Sequence, residues 1–113
     1  MRIIEKPWGK EEVIEINEQY MLKKLTMWKG QRCSLQLHNY KKETIFVLSG
    51  LLRIISGSDE ANLKEKIYKA GESITISPKT VHRMEGVEDC VYLEASTPEM
   101  DDVVRIEDDY QRA

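Results

Sequence analysis

Apolar residues recur at every second position through most of this sequence, and this alternation restricts its fold more than any other feature. In residues 34–38 (SLQLH), two leucines fall on one side while a glutamine and a histidine fall on the other; residues 20–28 behave similarly. Successive side chains of a β-strand leave opposite faces, so a period of two is typical of strands with one buried face. No segment before residue 98 has the spacing of an amphipathic helix. The sequence therefore predicts an all-β chain.

Turn signals divide the chain into many short strands, which is typical of a β-sandwich or β-barrel. Ser49 and Gly50 mark a tight turn, and the polar stretch 56–62 is predicted to be a loop. With 113 residues and no linker or repeat, the chain fits one domain over residues 1–113. Strands are expected at residues 13–16, 20–28, 34–38, 44–48, 51–55, 64–69, 73–77, 90–95 and 103–106, with a helical turn after the last.

The charge balance and the apolar segments exclude two classes of partner. The chain has 17 basic and 20 acidic residues and a formal net charge of −3, without a basic block that could neutralise phosphates of a nucleic acid. No apolar run approaches the roughly 20 residues of a membrane-spanning helix. The start of the sequence lacks the apolar region of a signal peptide. We therefore expect a cytoplasmic protein with no membrane or nucleic-acid partner.

The only two histidines of the sequence form the centre of a candidate metal site. His38 follows Gln36 by two residues, so both side chains leave the same face of a strand, and Glu43 comes shortly after. His82 follows a predicted turn, and distant strands can lie side by side in a barrel. Two imidazoles, a carboxylate and an amide oxygen suit Fe, Mn, Co, Ni or Zn as a divalent ion. We therefore predict one divalent metal ion on these four residues.

The same residues resemble two sequence motifs of the cupin superfamily. The first motif places Gly30, Gln36, His38, Glu43 and Gly50 at the expected intervals, and the second runs from Gly71 to His82. The chain is most similar to the type II mannose-6-phosphate isomerase domain, in which glutamine in the first slot is typical. That resemblance implies a small single-domain cupin, a jelly-roll β-barrel, with sugar-phosphate isomerase activity. The shared phrases are at residues 6–9 (KPWG), 34–38 (SLQLH), 81–84 (VHRM) and 101–112 (DDVVRIEDDYQR).

The chain departs from this family pattern after the first histidine. Residues 39–42 (NYKK) replace a histidine-rich run, Lys41 occupies the slot of an arginine, and Thr44 and Ile45 replace a His-Trp pair. Lysine does not reproduce the planar, two-pronged contact of arginine. The favoured function is interconversion of mannose 6-phosphate and fructose 6-phosphate, or a related aldose and ketose phosphate pair. The alternatives are a non-catalytic module that binds a sugar or nucleotide sugar, and a metal-dependent epimerase or dioxygenase.

Three further residues are candidates for the chemistry of an isomerase. Glu94 lies on a predicted strand and is expected either to reach the cavity as a base or to face solvent. Arg105 either points into the barrel and holds a phosphate or pairs with an acid such as Asp102. Lys41 is the other cation that we consider for the phosphate. The predicted small-molecule partner is a sugar phosphate.

For other polar and aromatic residues the sequence predicts only a general location. One of Lys23 and Lys24 faces inward if their strand lines the barrel, but we favour exposed charges at a sheet edge. Trp8 is expected to pack across the barrel, with sugar stacking as the alternative. We also expect a homodimer in which the N-terminal segment through Trp8 crosses between subunits, because a small open barrel leaves strand edges and apolar patches uncovered.

Overall fold

The computed structural model describes residues 2–110, which form eleven antiparallel strands and no helix. None of the described residues belongs to a helix of the length and apolar character needed to span a membrane. Residues 1 and 111–113, including the end of the family phrase at 101–112, lie outside the described part. The strands are β1 (Arg2–Lys6), β2 (Gly9–Ile16), β3 (Met21–Met27), β4 (Leu35–Leu37), β5 (Glu43–Ser49), β6 (Leu51–Gly57), β7 (Leu63–Lys69), β8 (Ser73–Ile76), β9 (Val81–Gly86), β10 (Cys90–Ser96) and β11 (Val104–Glu107).

The strands form two sheets that face each other. The six-stranded sheet has the order β1-β2-β3-β10-β5-β8, and the five-stranded sheet has the order β11-β4-β9-β6-β7. Strands distant in sequence are therefore neighbours: β10 lies between β3 and β5, and β9 lies between β4 and β6. This topology brings the segments around His38 and His82 together. The predicted all-β fold is confirmed.

The core lies between the inner faces of the sheets, as the alternation predicts. In β5, Ile45 and Val47 are buried, whereas Phe46 and Leu48 between and beyond them are exposed. Ile45 and Val47 join a cluster that also contains both cysteines, which are buried free thiols. The hydrophobic effect on these inner faces holds the two sheets together.

The turn between β5 and β6 is formed as predicted, and it requires its glycine. Gly50 has φ of 78°, and a Cβ there would lie 2.1 Å from the carbonyl oxygen of Asp89. The predicted loop at 56–62 is too long, because β6 continues through Gly57 and only residues 58–62 connect it to β7. The tail strand begins and ends one residue later than predicted, at Val104–Glu107, and is followed by a turn at residues 109–110.

Two strands were not predicted, and both have unusual side-chain patterns. β1 pairs with β2 as a hairpin within the chain, and its exposed residues give it no clean alternation. β9 buries His82 and Arg83 together with apolar neighbours, so its period of two is hidden. Trp8, between β1 and β2, is 5% exposed and belongs to the core cluster. Its predicted packing across the barrel agrees with this position.

Candidate metal centre

Three side chains of metal-binding type converge at the inner faces of both sheets. His38 follows β4, Glu43 begins β5 and His82 lies on β9, and their ligand atoms all lie within 4.8 Å of one another. All three residues are buried, with His82 0% and Glu43 2% exposed. The structure therefore brings these three predicted residues together.

Backbone carbonyls orient both imidazole rings toward the same point. The Nδ1 atom of His38 lies 2.5 Å from the carbonyl oxygen of Asp102, and that of His82 lies 2.9 Å from the carbonyl oxygen of Thr80. Each Nδ1 therefore donates its hydrogen to a carbonyl oxygen, which directs each Nε2 toward the carboxylate of Glu43. Within residues 2–110 neither Nε2 makes a hydrogen bond, although that of His82 lies 3.2 Å from Glu43 Oε1. Buried nitrogen lone pairs beside a carboxylate fit a divalent metal ion.

The protonation states of the site also favour a metal. Burial is the largest influence on His38 and lowers its pKa, and the positive charge of Lys41 lowers it further. Burial alone would raise the pKa of Glu43, but His82, Lys41 and His38 together lower it to about 2. At neutral pH the site therefore holds a neutral imidazole at His38 and an ionised carboxylate at Glu43, the forms that bind metals.

Gln36 stands beside this group as the predicted fourth ligand. It is directly opposite His82 in the pairing of β4 with β9, so both side chains leave the same face of the sheet. Its amide oxygen accepts a hydrogen bond from the Ser34 hydroxyl at 2.7 Å and retains a second lone pair. Coordination by Gln36 stays a prediction.

A cavity of about 580 Å³ opens beside His38 and Glu43, which both line it. Glu94 faces it from β10, buried rather than in solvent, and the cavity wall also includes Arg105 and Trp8. Of the two alternatives for Glu94, the structure places it at the cavity. Arg105 on β11 is half-buried and directly opposite Gln36 in the strand pairing.

Lys41 lies between two buried carboxylates. Its Nζ atom is 3.1 Å from Glu94 Oε2 and 3.3 Å from Glu43 Oε2, and these two charges raise the Lys41 pKa against the opposing effect of burial. Burial and the charge of Glu43 raise the pKa of Glu94 to about 7, although Lys41 and Lys23 oppose the shift. A phosphate at Lys41 would compete with two carboxylates for the ammonium, and the role of Arg105 toward a phosphate stays a prediction.

The expectation of exposed edge charges is wrong for Lys23. β3 is an interior strand of the six-stranded sheet, and Lys23 is 7% exposed, with its Nζ 2.7 Å from Glu11 Oε1. A second lysine, Lys6, lies 3.3 Å from the other oxygen of Glu11. These charges lower the Glu11 pKa although burial alone would raise it. Glu11 was not predicted as a site residue. The sequence signal that could have identified it is the alternation along β2, which directs every second side chain inward.

Comparison with known proteins agrees with this geometry. The family model described as Mannose-6-phosphate isomerase C-terminal matches residues 1–108. The chain belongs to this family. It is 33% identical over 98% of its length to mannose-1-phosphate guanylyltransferase ManC of Salmonella typhimurium, and 31% identical over 98% to a guanylyltransferase of Escherichia coli K12. In each case the chain spans 23% of the length of the relative.

Solved structures show that the fold is that of the cupins, as the resemblance implied. KdgF from Halomonas sp. has a TM-score of 0.78 at 13% identity, with 90% of this chain and 92% of that chain covered. Oxalate decarboxylase of Bacillus subtilis, a protein with Mn(II) centres, has a TM-score of 0.80 at 19% identity, with 94% of this chain and 30% of that chain covered. The grouped His and Glu side chains of the present chain are compatible with such a centre.

Removing either histidine should abolish tight metal binding. His38→Ala and His82→Ala each remove a nitrogen ligand. Affinity for Mn²⁺ or Co²⁺ should therefore decrease by more than the roughly 10- to 100-fold loss that is typical when a residue contacting a metal ligand is removed. Gln36→Ala should cost less, because an amide oxygen is a weaker ligand than imidazole for these ions. Elemental analysis and calorimetric titration of tag-free protein would measure this. Exposed Asn39 provides the control variant, Asn39→Ala; wild-type affinity in both histidine variants would contradict the site.

Proposed function

We propose that this chain is a cytoplasmic, metal-dependent sugar-phosphate isomerase acting on mannose 6-phosphate and fructose 6-phosphate or a related aldose and ketose phosphate pair. The observation that carries the proposal is the buried Glu94 carboxylate, which faces the same cavity as His38 and Glu43, two of the three grouped metal-binding side chains. Isomerisation of this kind needs a base beside a site that stabilises negative charge on two neighbouring oxygens. Membership of the family supports the proposal, but a fold alone does not define the chemistry.

The metal would be held by His38, Glu43 and His82, with Gln36 as a fourth ligand. When bound, such an ion acts as a Lewis acid toward sugar oxygens. Its identity among Zn, Mn, Fe, Co and Ni is open to test, because nitrogen and oxygen ligands accept all five. Leu25, Cys33 and Met84 give other parts of the cavity wall an apolar surface.

Glu94 supplies the base in this proposal. Its ionised form takes the proton from the hydroxyl-bearing carbon beside the sugar carbonyl, and the resulting carboxylic acid returns a proton to the former carbonyl carbon. The hydroxyl proton passes to the former carbonyl oxygen, so that the carbonyl and the hydroxyl exchange places. A pKa near neutrality suits both steps, because the group can be deprotonated before the first and can hold a proton between them. Lys41, 3.1 Å away, holds the carboxylate in place through a charge-assisted hydrogen bond.

A non-catalytic sugar-binding module is the second candidate. The observation in its favour is that the Lys41 ammonium contacts both Glu43 and Glu94, which lowers the basicity of the proposed base. A module of this kind would bind a sugar phosphate or nucleotide sugar without converting it. An epimerase or dioxygenase would share the metal ligands and differ in substrate. A coupled assay for conversion of mannose 6-phosphate to fructose 6-phosphate distinguishes the isomerase from these alternatives.

Glu94→Gln should abolish isomerisation and leave the metal bound. With added Mn²⁺, Co²⁺, Ni²⁺ or Zn²⁺, wild type should convert mannose 6-phosphate in a coupled assay. Burial raises the pKa of Glu94 from its usual value near 4.5 to about 7, so the base ionises only as the pH rises toward 7. The value of kcat/KM should therefore decrease as the pH is lowered below about 7.

The matched control is Glu65→Gln on β7, where the carboxylate is 65% exposed and outside the cavity. It should retain full activity and the same pH profile. Conversion by the Glu94→Gln variant at the wild-type rate would exclude Glu94 as the base. Sugar-phosphate binding without conversion by wild type, under every metal tested, would favour the binding module.

Arg105→Lys should weaken mannose 6-phosphate binding and leave binding of mannose unchanged. The guanidinium can hold a phosphate through two parallel hydrogen bonds, which lysine reproduces poorly. Hydrogen bonds to charged groups contribute about 1.5–3 kcal/mol, so affinity should fall roughly 10- to 100-fold. Calorimetric titration with both sugars measures this, with Arg53→Lys on β6 as the control outside the cavity. Equal wild-type affinity for the two sugars would show that no phosphate site exists.

We also propose that the chain forms a homodimer through the outer face of the six-stranded sheet. Phe46 and Leu48 are 39% and 42% exposed there, and Leu93 is opposite Phe46 in the strand pairing. A second copy would cover this apolar patch. Light scattering should give twice the chain mass, and Phe46→Glu should give a monomer. A wild-type monomer at micromolar concentration would exclude the dimer.

A further inference from the structure

Asp102, in the connection between β10 and β11, provides acceptors for four donors of the turn that carries His38. Its carboxylate accepts the backbone N–H groups of Asn39, Tyr40 and Lys41 at 3.0, 2.7 and 3.0 Å. Its carbonyl oxygen accepts the Nδ1 hydrogen of His38. More than sixty residues of sequence separate the two partners. The family phrase at 101–112 includes Asp102, but the sequence assigned it no role beyond pairing with Arg105.

The turn from His38 to Glu43 cannot order itself through the sheets. Residues 38–42 lie between β4 and β5, so their N–H groups lack ladder partners and need other acceptors. The turn begins and ends with a proposed metal ligand, and Lys41 within it contacts Glu94. A second contact joins the same two segments, since Lys42 and Thr97 exchange hydrogen bonds in both directions at 3.0 Å. The connection from Thr97 to Asp102 therefore covers and orders the ligand turn.

The other end of this connection leads directly to the proposed phosphate cation. Arg105 lies three residues after Asp102, on a strand whose only partner in the described sheets is the three-residue β4. The far end of this strand is held by Arg83, which donates to the carbonyl oxygen of Glu107 at 3.4 Å. At the near end, Asp102 is the anchor between a metal ligand on one side and Arg105 on the other.

We propose that Asp102 is a positioning residue that couples metal binding at His38 and Glu43 to the ordering of residues 99–107, which carry Arg105. Metal binding selects the ordered ligand turn, the ordered turn presents its N–H groups to Asp102, and docked Asp102 fixes the start of β11. The coupling is reciprocal, so anything that detaches residues 99–107 lowers metal affinity by the same factor. The inference rests on the metal-binding part of the proposed function and not on isomerisation.

Metal affinity of Asp102 variants provides the first test. Co²⁺ and Mn²⁺ would be titrated in competition with a chelator of known affinity. Asp102→Ala should weaken binding roughly 10- to 100-fold, the range typical of outer-shell partners, and Asp102→Asn should weaken it less because its amide oxygen still accepts a hydrogen bond. The matched control is Asp59→Ala, which removes an aspartate that accepts the N–H of Ala61 in the loop 58–62, outside the cavity. It should bind metal within twofold of wild type.

Hydrogen exchange with and without Co²⁺ provides a readout that a purely structural role would not change. In wild type, Co²⁺ should slow exchange in residues 38–43 and also in residues 99–107. In the Asp102 variants, saturating Co²⁺ should protect residues 38–43 while residues 99–107 exchange as they do without metal. If Asp102→Ala does not fold, Asp102→Asn carries both measurements.

The outcomes separate this inference from the proposed function. Wild-type protein that binds no divalent metal would overturn both. Wild-type protein that binds metal, together with Asp102 variants of equal affinity or with unchanged metal protection of residues 99–107, would overturn the coupling alone. Reduced affinity together with loss of that remote protection supports it.

Discussion

The position of Lys41 between two buried carboxylates is the interaction on which the rest of the site depends. Glu43 and Glu94 face one cavity, and without a cation between them their like charges would favour protonation of one. All three residues are less than a tenth exposed. Loss of one partner of a buried ion pair costs roughly 3–5 kcal/mol, because the remaining charge is stranded away from water. His82 and Lys41 together therefore keep the proposed metal ligand Glu43 ionised, while burial and the charge of Glu43 hold the pKa of Glu94 near neutrality.

This arrangement extends across the inner face of the six-stranded sheet. Lys23 is opposite Glu94 in the pairing of β3 with β10, and its ammonium contacts Glu11. Cations and anions thus alternate from Glu11 to Glu43, so each buried charge has a neighbour of opposite sign. A charged row of this kind occupies positions that a purely structural barrel would fill with apolar side chains. The inner face therefore carries a charged cavity beside the apolar core cluster.

The sequence predicts those elements whose inward residues are apolar. Alternation identifies β5 because Ile45 and Val47 face the core, and motif spacing brings His38 and His82 together. The same reasoning failed where inward residues are charged: Lys23 on β3 was assigned to solvent, and β9 was missed. The contacts of Asp102 depend on residues more than sixty positions away, which no local pattern reports. The burial of polar groups and the long-range hydrogen bonds are therefore the features that the sequence does not predict and the three-dimensional structure shows.

The lysine at position 41, where the family pattern has an arginine, changes which contacts a cation can make in this cavity. A lysine ammonium is a compact charge with three donors, so it can contact two separate carboxylates, at 3.1 and 3.3 Å. An arginine fork would favour one planar partner, such as a carboxylate or a phosphate. With lysine here, the cation stabilises the proposed base and metal ligand, and a planar donor for phosphate must come from elsewhere. Arg105, which lies on the opposite sheet three residues after Asp102 and lines the cavity, is the cation that we propose for this contact.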